Sequence, residues 1–215
     1  MKYDISFIHT GQAHIKKFSA IVDELNSQLN INHVVDESLL IHAQEFGADA
    51  WLATNLKVHL EALSLTSKVI VVTCSSIGAM AEDIGQLNGC KVQRIDQAMA
   101  DHAVKHGKKI LVMAALESTL APTRELLAKS MKQQGVETSF SFCLVENAWE
   151  DFLSGHMNNY YTKIASAISE NEKQYDLIVL AQASMSEVEK HIKVSIPVIS
   201  SPRLGVKRAL QALKS

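Results

Sequence analysis

Few features interrupt this chain of 215 residues, and each scarcity narrows what it does. There are only 3 cysteines, an odd number with no close spacing, so a disulfide framework is not expected and a reducing cytoplasm fits. There are only 3 prolines and no low-complexity segment, so little breaks up regular structure. Net charge is −2 with no long run of one sign, which argues against nucleic acid and anionic membranes as partners. No apolar stretch approaches the roughly 20 residues of a membrane helix. The N-terminal Met1–Ile8 enters a strand pattern directly, without the apolar core of a signal peptide. Gly-x-Gly is absent, so the dinucleotide fingerprint is missing. A Walker loop and a Gly-x-Ser-x-Gly elbow are missing as well.

What remains is an ordinary globular composition, 47% hydrophobic and 20% charged, with apolar strand patterns alternating with amphipathic ones. The patterns predict strands at Ile5–His9, Asn32–Val35, Val69–Thr73, Lys91–Ile95, Ile110–Ala114, Thr138–Leu144, Leu177–Ala181 and Pro197–Ser200. They predict helices over His14–Leu29, Ser75–Leu87, Ser118–Gln134 and Tyr160–Gln174. In the first of these Ile15, Phe18, Ile21, Val22, Leu25 and Leu29 mark one face. Such alternation builds parallel sheets with helices on both sides. A last helix should start at Ser201-Pro202, a capping residue followed by a first-turn proline.

A weak internal repeat divides the chain. Ile110–Ala114 opens a strand–helix unit as Ile5–His9 does, and Val179–Met185 follows the pattern of Val72–Ile77, so that Gln182 stands where Cys74 stands. The boundary falls near Asp96–Asp101. The expected architecture is α/β, with two pseudo-symmetric three-layer halves and mainly parallel sheets. Residues 1–97 plus 201–215 form one half and residues 98–200 the other.

Cys74 is the leading functional residue. It follows Val69–Thr73, at a strand's C-terminal end and a helix N-terminus, where free N–H groups and the helix dipole favour a thiolate. Open α/β sheets bind ligands at that edge. Cys90 and Cys143 sit at or within predicted strands and read as core. His9 and Thr10 end the first strand at the same edge. They read either as carboxylate ligands, with His9 as a general base, or as a loop histidine and a turn hydroxyl. Ser118 and Thr119 read either as carboxylate ligands or as N-cap residues. His102 and His106 stand four apart, but they share a stripe with Ile95 and Met99 and no third ligand is evident; packing is the better reading and no metal is expected.

Val72-Thr73-Cys74-Ser75-Ser76, Arg94-Ile95-Asp96-Gln97-Ala98-Met99, the stretch Ile110 to Thr119, Glu146-Asn147-Ala148-Trp149 with Gly155, and Pro197-Val198-Ile199-Ser200-Ser201-Pro202 follow one another in an order that resembles the aspartate/glutamate/hydantoin racemase superfamily. That group includes maleate isomerase and arylmalonate decarboxylase, and the resemblance spans nearly the whole chain. It implies two α/β halves with an interdomain cleft, no cofactor, and a small carboxylate or amino-acid-like molecule as substrate. Racemases of the group set one cysteine on each face of the substrate's α-carbon. This chain departs from them. Gln182 fills the second cysteine position, and an amide neither accepts nor delivers a proton at neutral pH. Ala115 stands where a hydroxyl is common. The resemblance therefore implies an isomerase or racemase with a single catalytic cysteine, Cys74. Ser75, Ser76 and Thr119, with Gln182, Ala183 and Ser184, would supply hydroxyl and backbone donors. A catalytically reduced carboxylate-binding protein and a lyase or decarboxylase are the alternatives, and a homodimer stays open.

Overall fold

The structure is a computed structural model and describes residues 1–214. Two compact units divide them: Met1–Ala98 joined by the stretch from Pro202 onward, and Met99–Ser201. Among the described residues no helix is long and apolar enough to cross a membrane.

The first unit begins with β1 (Tyr3–His9), α1 (Ala13–Asn26), β2 (Ile31–Val35), α2 (Ser38–Phe46), α3 (Ala50–Ser64) and β3 (Ser67–Val72). It continues through α4 (Gly78–Ile84), β4 (Gln86–Leu87) and β5 (Cys90–Arg94). Its sheet runs β2-β1-β3-β5-β4, parallel throughout except for β4 against β5. Adjacent strands β1 and β3 need a crossover, and α1 and α3 supply helices for opposite faces. One face packs Ile8, Ile70, Val72 and Val92 on Leu39 of α2, on Leu52, Leu56 and Leu60 of α3, and on Ala81 of α4. On the other face the ring of Phe7 meets Phe18 of α1, with centroids 5.4 Å apart. A parallel sheet covered on both faces reads as continuous apolar runs, which is the pattern of Val69–Val72.

The division between the units falls within α5 (Gln97–His106). The second unit then holds β6 (Lys109–Ala114), α6 (Leu120–Gln134), β7 (Ser139–Leu144), α7 (Ala148–Leu153), α8 (Met157–Asn171), β8 (Leu177–Leu180) and β9 (Val198–Ser200). Its sheet is wholly parallel, in the order β7-β6-β8-β9. That is the order of the first four strands of the other sheet, so the two units repeat one topology. Leu111, Met113, Ile178 and Leu180 pack on Tyr160, Ile164 and Ile168 of α8. The helix α9 (Ser201–Ala212) belongs mostly to the first unit.

Two local expectations are corrected. The predicted helix from Ser75 to Leu87 is a 3-10 turn, Ser75–Ile77, followed by the short α4 and then by a hairpin. Gly85 ends α4 with φ 61°, and Asn88 and Gly89 turn the chain with φ 50° and 80°. Two successive positive φ values are what a two-residue hairpin turn requires, and Asn-Gly supplies them at least strain. Ser201 does not act as a hydrogen-bonding cap: its hydroxyl oxygen is buried without a partner.

Candidate functional site

Cys74 sits between β3 and the turn Ser75–Ile77, in extended conformation with φ −101° and ψ 122°. That backbone aims the side chain out beyond the last strand residue while the next residues turn their N–H groups back toward it. The sulfur accordingly receives the Thr10 and Ser76 hydroxyls and the Ser76 and Ile77 N–H groups. The residue is half-buried, with part of its surface open to solvent. Desolvation outweighs the four donors and pushes the thiol above its ordinary value. The expectation of a depressed pKa is thus corrected: the helical segment after Cys74 starts as a three-residue 3-10 turn, and burial dominates. At neutral pH the group is a thiol whose conjugate thiolate has four donors waiting for it.

Thr10, Ser75 and Ser76 lie on this same ledge, with Thr10 and Ser75 buried and Ser76 partly exposed. His9 is different. It has no exposed surface, its Nδ1 lies 2.8 Å from Thr73 Oγ1, and its Nε2 lies 2.8 Å from His33 Nδ1. Burial, with His14 and His33 nearby, lowers its pKa to about 3. It is neutral, and with both nitrogens committed it offers none to a ligand; the carboxylate-ligand and general-base readings of His9 are corrected accordingly. The ledge is braced from below by Arg94, which donates to Asp96 from Nε at 2.6 Å and from Nη2 at 3.1 Å, with Glu82 of α4 at 3.5 Å from Nη1. Arg94 packs so closely under Gly78 that a Cβ there would lie 3.0 Å from its Nε.

In the second unit Gln182 occupies the equivalent place, after β8 and before the 3-10 stretch Ala183–Lys190, with φ −119° and ψ 140°. Its Oε1 accepts from Ala115 N at 2.6 Å and Leu116 N at 3.0 Å. These two bonds settle which way the amide points, because the reversed amide would set NH2 against two N–H donors. The amide nitrogen therefore faces away from them as a donor, and it has no partner among the described residues. Ala183 and Ser184 are buried beside it, and the Ser184 hydroxyl bonds Tyr160 Oη at 2.8 Å. Thr119 is buried and precedes α6 without a capping bond from its side chain, and the Ser118 hydroxyl oxygen is buried with no partner. The N-cap alternative for this pair is thereby overturned.

The structure gathers Thr10, Cys74, Ser75 and Ser76 in the first unit, and Ser118, Thr119, Gln182, Ala183 and Ser184 at strand ends of the second. Sequence reasoning missed Thr73, His33, Ser19 and Tyr160, whose side chains reach these groups only through strand order and register. An open groove of about 700 Å³ along α8, lined by Tyr161, Thr162, Ser166 and His191 among others, contains none of the predicted residues. Cys90 is fully buried with its pKa raised to about 11 by burial, and Cys143 is half-buried on β7 with its thiol pushed up by burial and by Glu170.

The chain matches the profile of the Asp/Glu/Hydantoin racemase family over residues 8–209. It is similar in fold to glutamate racemase from Bacillus anthracis, with a TM-score of 0.71 and 16% identity over 100% of this chain and 83% of that one. A putative Asp/Glu racemase from Yersinia pestis aligns with a TM-score of 0.70 and 14% identity, over 99% of this chain and 100% of that one. Arylmalonate decarboxylase aligns with a TM-score of 0.62 and 16% identity, over 98% of this chain and 92% of that one. No curated protein matches the chain. The family match runs from the end of β1 into α9 and so takes in both units, with the thiol ledge of one and the amide ledge of the other: the chain belongs to the Asp/Glu/Hydantoin racemase family.

Proposed function

We propose that this protein is a cofactor-independent enzyme that moves a proton on one face of a small carboxylate, with Cys74 as its single acid/base. The observation that carries this reading is the Cys74 ledge itself: a thiol set between the end of β3 and the turn Ser75–Ile77, with the Thr10 and Ser76 hydroxyls and the Ser76 and Ile77 N–H groups directed at its sulfur. A thiol that rests protonated can give its proton to a carbanion or enolate carbon, and the donors around the sulfur offset the burial that disfavours the thiolate left behind. In that step the Sγ–H bond breaks and a C–H bond forms. The electron pair left on sulfur is stabilised by the Ser76 and Ile77 N–H groups and by the Thr10 and Ser76 hydroxyls. The reverse step takes a proton from the α-carbon. A racemisation that exchanges both faces needs a second competent group, and Gln182 does not supply one. Isomerisation or decarboxylation by one thiol is the chemistry the residues favour.

The test is incubation in deuterated water with D- and L-aspartate, D- and L-glutamate, maleate and a substituted malonate, read by deuterium incorporation and chiral analysis. Deuterium entering one face, lost in Cys74→Ser, is the expected result. Efficient exchange in Cys74→Ser, or full two-face racemisation by the wild type, refutes it. The second reading, a binding protein with reduced catalysis, rests on Gln182. It is favoured if a carboxylate of the panel binds, measured by calorimetry, with no exchange at all.

A further inference from the structure

A hydrogen-bonded chain runs beneath the Cys74 ledge, and every donor in it can be assigned. Thr73 Oγ1 lies 2.9 Å from the Ile8 carbonyl oxygen, to which it gives its only proton. It must therefore accept from His9 Nδ1 at 2.8 Å, so that nitrogen carries the hydrogen. Neutral His9 then has Nε2 as an acceptor, and His33 Nδ1, 2.8 Å away, donates to it. His33 Nε2 in turn accepts the Ser19 hydroxyl at 3.0 Å. Three elements contribute one residue each, with Ser19 from α1, His33 from β2 and His9 from β1, and Thr73 follows directly after β3. The rings are held flat by aromatic neighbours, with Phe7 stacked 5.3 Å from His33 and Phe18 at 5.4 Å from His9.

The chain ends on a carbonyl oxygen, so it delivers no proton to the sulfur. Its geometry serves another purpose. His9 immediately precedes Thr10, and Thr73 immediately precedes Cys74. The His9–Thr73 bond ties the two strand ends together one residue short of the point where the Thr10 hydroxyl reaches Cys74. Ile8 O also accepts Thr73 N at 3.0 Å, and His9 O accepts Asp36 N at 2.9 Å, so the backbone on both sides is fixed as well.

We propose that Ser19, His33 and His9 form a positioning relay that holds Thr10 against Cys74, with both histidines fixed as neutral Nδ1–H tautomers. The relay gains its purpose from the reading of Cys74 as the reacting thiol and rests on it to that extent. His9 and His33 act through Thr10 and Thr73 and touch no substrate. Histidine serves here because a neutral ring donates from one nitrogen and accepts at the other across a fixed span, so one residue transmits orientation from strand to strand.

The experiment measures the pH profile of iodoacetamide labelling at Cys74, resolved from the other cysteines by peptide mapping, in the wild type, His33→Leu and His33→Asn. Leucine fills the space but donates nothing. Asparagine presents a donor near the position of Nδ1. In His33→Leu the apparent Cys74 pKa should rise and labelling at pH 8 should fall about tenfold, the effect of losing one hydroxyl donor to a thiolate; His33→Asn should restore the profile. A folded His33→Leu with an unchanged profile overturns the relay, as does a His33→Asn that shifts as far as leucine. If His33→Leu does not fold, nitrogen-15 spectra of the wild-type imidazoles decide. Nδ1–H tautomers at both His9 and His33, unchanged between pH 8 and 6, support the relay, and an Nε2–H tautomer at either overturns it. Labelling needs no turnover, so the outcomes separate. A shifted Cys74 profile with no deuterium exchange on any carboxylate keeps the relay and removes the catalytic reading.

Discussion

Acid should weaken this protein well above the pH at which its carboxylates titrate, and His9 sets the scale. Its folded pKa is lowered from 6.5 to about 3, chiefly by burial. Between those values the unfolded chain binds a proton that the folded chain refuses, so stability is complete above the unfolded value and falls as pH drops below it. The slope for one such group approaches 1.4 kcal/mol per pH unit, so acidification from pH 7.5 to pH 4.5 should cost about 2.7 kcal/mol through His9 alone. His14, lowered to about 4 mainly by burial, and His33, lowered by burial, add in the same direction. Asp4 and Asp36 keep pKa values below the ordinary carboxylate, so their losses begin at lower pH. The assay is urea unfolding followed by circular dichroism at about pH 7.5, 6.5, 5.5 and 4.5, in the wild type and in His9→Asn. Asparagine keeps a donor for Thr73 and cannot titrate, so its loss over the same range should be smaller by about 2.7 kcal/mol, with the share of His14 and His33 remaining. A wild-type stability that stays flat from pH 7.5 to 5, or a His9→Asn slope equal to that of the wild type, would refute the reasoning.

Three further outcomes follow from the packing. Asp96→Ala leaves Arg94, which is 4% exposed, without its principal partner and should cost about 3–5 kcal/mol in urea unfolding, the penalty of a buried charge losing its mate. Gly205→Ala would place a Cβ 2.2 Å from the Ile95 carbonyl oxygen, so α9 must shift; a loss of about 3 kcal/mol and a lowered melting temperature are expected. Gln182→Ala should cost about 1–3 kcal/mol by leaving the Ala115 and Leu116 N–H groups without their acceptor, while Gln182→Glu, which retains an acceptor, should cost less in the same melt.

Much of the fold was legible because buried parallel strands are written as apolar runs. Val69–Val72 and Ile110–Ala114 announce themselves, and all eight predicted strands occur with ends shifted by a residue or two. The hairpin at Asn88-Gly89 was legible too, since that dipeptide between strand-forming residues is a strong turn signal, but the helical spacing before it masked the signal. Cys74 stood out through its place after a strand. The relay was not legible, because it depends on which strands are neighbours. His33 meets His9 because β2 pairs with β1 in the register that sets Phe7 beside His33, and no local pattern carries that information. Gln182 was visible as a departure from a two-thiol pattern, but which of its amide atoms faces outward follows only from the two N–H groups it accepts.

The two-residue strand β4 bears on how the protein behaves in crowded solution. An exposed sheet margin invites another chain to pair with it. Beyond β5, the first sheet ends in Gln86 and Leu87, which run antiparallel and are too few to template a partner. Their turn is moored to α3 through Asn88 Nδ2 and Ser64 Oγ at 2.8 Å. That margin of the sheet is thus closed to intermolecular strand addition. Loosening it, for instance by Asn88→Pro, should lower the temperature at which aggregation sets in, read by light scattering during mild heating.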